Sequence, residues 1–190
     1  MKKRILLLNI LIVWVLVWSI NAGLGGEKKG IGSKKKEPIP STKIEVTGVV
    51  KKPCTVNLNV LKSMKAVTIK VAMTGSHCGY LGTYSYTGVL LRDIISKAGL
   101  EDEAVGAVIL IYGTDGFYVA ISWGELFRSE AGSQIMIAYE RDSKPLGPDE
   151  GFARLIIPTD KYTASRSVSR VNKIEVKYGG GKVECAEQAY

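Results

Sequence analysis

The hydrophobic pattern of the chain changes character near residue 42. Beyond it, short stretches either alternate polar and β-branched residues, as half-buried strands do, or are apolar throughout, as central strands are. This pattern predicts strands over residues 43–50, 54–58, 66–73, 107–112, 117–122, 135–140, 154–157 and 171–178. It predicts short helices over residues 59–64, 88–98 and 123–128, and a loop over residues 74–87. Many short strands with few helices and no regular strand–helix alternation indicate a compact, β-rich α+β fold.

Small and polar residues mark the ends of these elements. Thr87 is suited to cap the N-terminus of the helix over residues 88–98, and Gly99 is suited to end it. The tetrapeptide over residues 113–116, Gly-Thr-Asp-Gly, has the composition of a hairpin turn. A glycine run follows residue 178, so we assign residues 42–178 to one folded domain and residues 179–190 to a Gly-rich C-terminal tail.

The N-terminal segment has a different pattern. A cationic start precedes an almost unbroken apolar run over residues 5–20, which is shorter than the roughly 20 residues that span a bilayer. The run matches the core of a secretory signal, and residues 21–23, Asn-Ala-Gly, offer an imperfect cleavage site. Residues 1–22 are therefore predicted to be a signal peptide or an N-terminal membrane anchor. Both alternatives place the rest of the chain outside the cytoplasm.

Charge is concentrated before the predicted domain. Residues 1–40 contain eight basic and two acidic residues, and the remainder contains 18 basic and 16 acidic residues. The basic character therefore gives no argument for a nucleic-acid partner. Residues 23–41 are rich in Gly, Lys and Pro without apolar periodicity, which predicts a flexible tether. Its lysines suit either a solvated spacer or contact with anionic lipid head groups.

Three cysteines, Cys54, Cys78 and Cys185, are present. In an oxidising compartment an odd number leaves at least one thiol without a partner in the chain, and a disulfide between any two of the three stays open. The absence of a Cys-x-x-Cys motif and the presence of a single histidine exclude a zinc site of the usual His and Cys spacing.

Six short motifs occur in a fixed order along the predicted domain. They are 46–53 (VTGVVKKP), 86–94 (YTGVLLRDI), 112–117 (YGTDGF), the segment 138–158 with its Pro-Leu and Arg-Leu pairs, 166–168 (RSV) and 174–176 (IEV). In this order they resemble the molybdopterin-binding domain of the sulfite oxidase superfamily. The resemblance implies a compact β-rich α+β domain and, in enzyme members, a molybdenum cofactor held between the loops. Caps, turns and core positions explain most of these residues, so the motifs identify a scaffold, and function depends on the site.

The resemblance also implies a metal ligand. In enzyme members a cysteine thiolate that follows a strand completes the coordination of molybdenum beside the two sulfurs of the pterin. The nearest positions in this sequence are Met73 and Thr74, neither of which can replace a thiolate. Cys78 lies four or five residues later and is the candidate catalytic residue and molybdenum ligand. Its alternatives are a disulfide partner or a buried free thiol.

Three further residues are candidates for holding the cofactor. His77 would lower the pKa of the neighbouring thiol or hydrogen-bond an oxo group or the pterin phosphate. Lys161 and Arg166 follow the strand over residues 154–157, where the family places a phosphate-binding loop. The alternatives are a polar surface residue for His77 and a surface ion pair for Arg166.

Two functions remain open at this point. The first is an oxidoreductase domain at the outer face of the membrane that binds a molybdenum–molybdopterin cofactor. Because the chain has no Cys-x-x-Cys-His haem motif, its electrons would come from a separate partner. The second is a cofactor-free relative that uses the same scaffold as a binding module, with aromatic contacts from residues 79–86.

Overall fold

The computed structural model describes residues 39–100 and 106–178, which belong to one compact unit, Glu37–Tyr190. The predicted leader, the tether up to residue 38, the C-terminal tail and Cys185 lie outside the described residues. Among the residues that are described, no helix has the length and apolar character needed to cross a membrane.

The first of two sheets contains the first and last strands of the chain. Its members, numbered in chain order, are β1 (Ile44–Gly48), β2 (Cys54–Val56), β5 (Ala107–Gly113), β6 (Tyr118–Ser122) and β10 (Val171–Tyr178). They lie in the order β2–β1–β10–β5–β6. β1 and β10 are parallel, and the other neighbours are antiparallel. Alternating burial along β5 shows that this sheet covers the core with one face.

The second sheet is built on a long hairpin. Its members are β3 (Ala66–Gly75), β4 (Gly79–Leu90), β7 (Met136–Arg141), β8 (Lys144–Pro145) and β9 (Arg154–Ile156). The order is β3–β4–β7–β8, and β9 pairs with the other half of β7. With both sheets and few helices, the structure confirms the predicted β-rich α+β fold.

Three short helices and a 3₁₀ helix complete the described part of the domain. They are α1 (Leu58–Ser63), α2 (Leu91–Ala98), α3 (Trp123–Arg128) and the 3₁₀ helix Ala131–Gln134. α2 buries Leu91, Ile94 and Ile95 in the main core, as its helical spacing predicts. α3 has the predicted bounds because the Ser122 hydroxyl accepts a hydrogen bond from Glu125 N at its N-terminus.

At β7 both faces of the second sheet are buried. Along β7, Ile137 and Tyr139 belong to the main core shared with the first sheet, whereas Met136 and Ala138 belong to a smaller cluster. Successive side chains of a strand point to opposite faces, so the smaller cluster lies on the other face of the sheet. We call this group the second cluster; its buried members are Val71, Met73, Tyr86, Leu90, Met136, Ala138 and Ile156, with Leu146 and Ala164 packed against them.

The predicted loop over residues 74–87 is wrong, because most of it forms β4. Gly79, Gly82 and Gly88 interrupt the pattern as loop residues do, but the β-branched and aromatic residues between them favour a strand. Gly88 is required by packing, since a Cβ there would lie 2.2 Å from Ile137 O on the neighbouring strand. Gly88 therefore permits close contact between β4 and β7 and does not mark a loop.

The predicted start of the helix over residues 88–98 is wrong for the same reason. Thr87 lies within β4, where its Oγ1 is 2.9 Å from Thr68 Oγ1 on β3 and caps no helix. The helix begins at Leu91, and Leu90 before it has extended backbone and no capping side chain. Gly99, with a φ of 69°, ends the helix as predicted.

Candidate functional site

The turn that carries His77 and Cys78 is the end of the β3–β4 hairpin. β3 ends at Gly75 and β4 begins at Gly79, whose φ of 66° lies in the left-handed region. Glycine adopts this conformation at no steric cost, and a three-residue turn followed by such a residue commonly closes a hairpin. We define residues 76–83 as the hairpin tip. All of them except Gly82 are exposed.

His77 and Cys78 are therefore both surface residues. His77 Nδ1 lies 2.9 Å from Ser76 Oγ, as expected for a polar surface histidine. Cys78 and Cys54 are both free thiols, so these two cysteines are not paired with each other. The alternative of a buried thiol is wrong for Cys78, because its side chain is exposed. The role of Cys78 as a metal ligand stays a prediction.

The two positions that the resemblance equates with the family cysteine lie inside the fold. Met73 is 3% exposed and belongs to the second cluster. Thr74 N donates a hydrogen bond of 2.8 Å to Thr163 Oγ1, which itself donates to a carbonyl of β3 at 2.8 Å. Ala164 N donates to Thr74 O at 3.1 Å. The loop of residues 158–166 is thus bound to β3 and covers the second cluster at this point.

Arg166 is held by two carboxylates. Its Nε and Nη2 donate to both oxygens of Asp160 at 2.8 and 2.6 Å, and Nη2 also donates to Glu125 at 2.9 Å. The hydrogen bond to Asp160, and then that to Glu125, raise the pKa of Arg166 above its ordinary value, although partial burial lowers it. Two carboxylates for one guanidinium give the group a net negative charge. The surface ion pair considered for Arg166 is the arrangement that the structure shows.

Lys161 lies on the same loop and is exposed. Its Nζ is 5.3 Å from the centroid of the Tyr162 ring, which is a cation–π contact. Within the described ranges, no hydrogen bond or ion pair joins His77 or Cys78 to Lys161 or Arg166. The loop reaches the hairpin through Thr163 and its neighbour, so the structure brings the backbones near each other without joining the four candidate side chains.

The sequence analysis did not identify a buried ionic group. Glu150 is 7% exposed, and its two oxygens contact Arg154 Nη1 at 2.5 Å and Arg141 Nη1 at 3.0 Å. Arg154 Nε also donates to Ser167 Oγ at 2.7 Å. Beside this group Tyr86 is fully buried, and that burial raises its pKa while Arg154 opposes the rise. The available signal was the four-residue spacing of Glu150 and Arg154 next to an apolar strand.

The fold and these loops define a molybdopterin-binding type of domain, and comparison with known proteins supports this class. The family model described as "Oxidoreductase molybdopterin binding domain" matches residues 34–179. The chain belongs to this family.

Relatives by sequence are larger proteins. The NADH nitrate reductase of Volvox carteri is 25% identical over 175 residues, which cover 76% of this chain and 20% of that protein. The NADH nitrate reductase of Spinacia oleracea is 28% identical over 171 residues, with 73% and 18% covered. The chain thus spans about a fifth of the length of these relatives.

A solved structure shows the same fold. The sulfane dehydrogenase SoxCD of Paracoccus pantotrophus superposes with a TM-score of 0.59 at 17% sequence identity. The match covers 71% of this chain and 38% of that chain. At this identity the likeness concerns the fold alone.

The donor groups of this chain, as arranged, do not fit the family's molybdenum cofactor. A thioether inside an apolar cluster occupies the nearest position to the thiolate, and the thiol of Cys78 lies outside on the hairpin tip. The carboxylates of Asp160 and Glu125 already occupy the guanidinium that would hold the phosphate. Across residues 39–100 and 106–178, no three His, Cys, Asp or Glu side chains are grouped to hold a metal ion.

Proposed function

We propose that this domain is a cofactor-free member of its family and works as a protein-binding module whose contact surface is the hairpin tip. The observation that carries the proposal is the burial of Met73. Its side chain completes the second cluster at one of the two positions that the resemblance equates with the family's thiolate, the other being Thr74. A soft metal needs a deprotonated sulfur that it can reach, and a buried thioether supplies neither charge nor access.

The hairpin tip has the properties of a contact surface. Tyr80 is 67% exposed and Leu81 is 46% exposed, although both carry large apolar groups. Their neighbourhood is ordered by hydrogen bonds, since Tyr80 Oη lies 2.8 Å from Thr83 Oγ1 and Tyr84 Oη donates to Leu81 O at 2.9 Å. Aromatic residues held in one conformation lose little entropy on binding, which makes them effective anchors.

The base of the tip is fixed by a second set of contacts. The Tyr84 ring packs edge-on against the buried Tyr86 ring at 6.3 Å between centroids. The Arg141 guanidinium carbon lies 5.0 Å from the centroid of the Tyr84 ring. Because Arg141 is itself held by Glu150, the base of the tip is connected to the buried ionic group.

The shape of the tip favours a protein as its partner. Small molecules bind in concave sites that enclose most of their surface, whereas the end of a hairpin is convex. Residues 76–83 contain no Lys, Arg, Asp or Glu, so attraction to a highly charged partner is not built into the tip. An aromatic and aliphatic pair surrounded by hydroxyl groups suits a shallow groove on another protein.

We also propose that the domain works outside the cytoplasm, tethered through its N-terminal segment. The cationic start, the apolar run over residues 5–20 and the lysine-rich stretch before residue 42 support this location. The partner would then belong to the same compartment. Protease treatment of intact cells tests the location: degradation of the domain without lysis supports export, and protection until lysis contradicts it.

Metal analysis decides between this proposal and the enzyme alternative. In the alternative, Cys78 binds molybdenum, His77, Lys161 and Arg166 hold the pterin, and a separate protein supplies electrons. The full chain is purified from a host that makes the cofactor, and molybdenum is measured per chain. The proposal expects far less than one molybdenum per chain. About one molybdenum per chain, lost in Cys78→Ser, contradicts it and supports the enzyme.

Site-specific crosslinking tests the binding role. A photo-reactive residue replaces Tyr80 at the hairpin tip or Thr55, an exposed residue on β2, in cells that express the full chain. A single crosslinked protein from position 80 but not from position 55 is the expected result. The purified partner should then bind Tyr80→Ser about tenfold or more weakly than the wild type, as loss of an anchor predicts. Equal binding by both chains contradicts the role of the tip.

A further inference from the structure

Among the described residues the two sheets have five outer strands, and four of them are protected against pairing with another chain. β9 is one of the four, because Leu155 N donates to Val168 O and Leu155 O accepts from Ser167 Oγ at its outer edge. β3 carries the exposed Lys70, and its far end is covered by hydrogen bonds from Thr163 and Ala164. β2 has three residues and follows Lys-Lys-Pro at residues 51–53, and β8 has two residues, one of which is Pro145. A short outer strand, an exposed lysine, a proline, or a loop that covers the strand are the usual features that prevent sheets from associating edge to edge.

β6 is the outer strand without such a feature. Residues 117–122, Phe-Tyr-Val-Ala-Ile-Ser, contain no charged residue and no proline. Phe117 and Tyr118 are 46% and 56% exposed, and the Tyr118 ring lies 5.3 Å from that of Tyr112 on β5. A strand of high β-propensity that is open, aromatic and uncharged is a template for a further strand.

The backbone of β6 has groups available for such pairing. Gly113 N donates to Phe117 O at 2.9 Å, so Phe117 directs its carbonyl toward β5. The direction of the backbone hydrogen bonds alternates from one residue to the next along an antiparallel strand. Val119 and Ile121 therefore bond to β5. Tyr118 and Ala120 direct their N–H and C=O groups to the open edge. No backbone hydrogen bond links Tyr118 or Ala120 to any described residue beyond β5 and β6.

We propose that β6 pairs in antiparallel fashion with β6 of a second copy of this chain, with Ala120 on the two-fold axis. In this pairing Ala120 lies opposite its own copy, and Tyr118 lies opposite Ser122 of the other chain. An identical partner suits this edge, because the two-fold pairing sets the large Tyr118 opposite the small Ser122 and brings no like charges together. The first sheet of one copy and the first sheet of the other then form one continuous sheet of ten strands.

The exposed side chains of β6 suit this arrangement. Tyr118, Ala120 and Ser122 lie on the outer face of the sheet, and Val119 and Ile121 face the core and are not disturbed. The Tyr118 ring reaches across the small Ser122 of the second copy, and its stack with Tyr112 extends the aromatic surface over the junction. Pairing therefore satisfies backbone groups and covers aromatic surface without repacking either core.

Crosslinking in the full chain tests the geometry. Ala120→Cys is made in a chain that also carries Cys54→Ser, Cys78→Ser and Cys185→Ser, and a short bis-maleimide is added to the protein in mild detergent. Most of the chain should convert to a covalent dimer. Thr68→Cys, an exposed position on the protected strand β3, is the matched control and should stay monomeric. Equal yields from the two positions, or no dimer from position 120, overturn the proposal.

A charge at the axis provides the second test. Ala120→Lys places two ammonium groups opposite each other at an exposed position, where it does not disturb the core. Under reducing conditions the wild type should sediment as a dimer and the variant as a monomer. The variant should still unfold cooperatively on heating, which shows that its domain is folded. A monomeric wild type at about 100 μM, well above the micromolar Kd of an ordinary weak interface, overturns the proposal. A polydisperse wild type, or a variant that stays dimeric, also overturns it.

Discussion

The side chain of Thr163 is hydrogen-bonded to the backbone of Thr74, 89 residues earlier in the chain, at 2.8 Å. The same hydroxyl donates to Ala72 O, so one buried side chain provides both an acceptor and a donor for backbone groups at the end of β3. This contact fixes the loop of residues 158–166 over the second cluster. It is the physical reason why this loop covers the end of β3 that contains Met73 and Thr74.

Removal of the Thr163 hydroxyl should therefore destabilise the domain. Thr163→Val leaves a buried N–H of β3 without a partner, and we expect a loss of about 1–3 kcal/mol in the free energy of unfolding. Urea denaturation measures the effect. Thr55→Val is the matched control, because Thr55 is exposed on β2 and should change stability by about 0.5 kcal/mol or less. Similar losses in the two variants would contradict the bridging role.

The ionic group of Glu150 should be sensitive to loss of its charge. Glu150→Gln leaves Arg141 and Arg154 in a partly buried site without their shared anion, and we expect a loss of about 3–5 kcal/mol. Glu45→Gln breaks the exposed pair with Lys43 and should change stability little, because solvent screens such a pair. Denaturant unfolding of both variants compares the two. A small loss in Glu150→Gln would show that the arginines find solvent or other partners.

Stability should depend on pH through Glu175. Burial raises the pKa of this carboxyl, but hydrogen bonds from Lys177, Lys173 and Tyr112 outweigh burial and lower its pKa overall. A lowered pKa in the folded state adds stability above the ordinary carboxyl value of about 4.3, and this stability is lost as the pH falls through the folded value.

Glu175→Gln should therefore be less stable than the wild type at pH 7, and the difference should shrink at pH 3. Urea denaturation at both values measures it. Glu130→Gln is the control, since Glu130 is exposed and forms no ion pair with any described residue, and its effect should be small at both values. A difference for Glu175→Gln that is constant with pH would contradict the assigned charge interaction.

Gly88 should be intolerant of a side chain. A Cβ at this position would lie 2.2 Å from Ile137 O and 2.5 Å from Ala138 Cα, so Gly88→Ala must push β4 away from β7. We expect a loss of about 3 kcal/mol or more, or no folded protein. In Gly106→Ala, by contrast, the new Cβ meets nothing within 4 Å, and stability should be unchanged or slightly higher. Circular dichroism melting curves compare the two.

Thiol reactivity should distinguish the two described cysteines. In a Cys185→Ser chain, a thiol reagent such as DTNB should react fast with the exposed Cys78 and more slowly with the half-buried Cys54. Cys78→Ser should abolish the fast phase and leave the slow one. If the fast phase persists, Cys54 is the accessible thiol and the hairpin tip is covered in solution.

Local sequence signals predicted much of the fold. α3 and β10 have their predicted bounds because each has a clear periodicity and a clear boundary, such as the Ser122 cap and the glycines after Tyr178. β4 was missed because Gly79, Gly82 and Gly88 carry the local signal of a loop. For Gly88 the reason is non-local, since a Cβ there would meet a strand almost fifty residues later in the chain.

The candidate site was less predictable than the fold. Sequence motifs placed Arg166 near a phosphate-binding loop, but only the folded chain shows that Asp160 and Glu125 hold it. The sequence analysis missed the ionic group of Glu150, Arg141 and Arg154, because the sequence does not reveal which of its many charged residues are buried together. Burial of a charge depends on long-range packing, which local periodicity does not encode.

The parallel pairing of β1 with β10 sets the order in which the domain is completed. β10 lies between β1 and β5, so the first sheet consists of two separate pieces until the last strand is inserted. A ribosome that has released residues up to 170 has produced nearly all of the core residues but not the strand that joins the two pieces of this sheet. The first sheet can therefore be completed only after residues 171–178 have been synthesised.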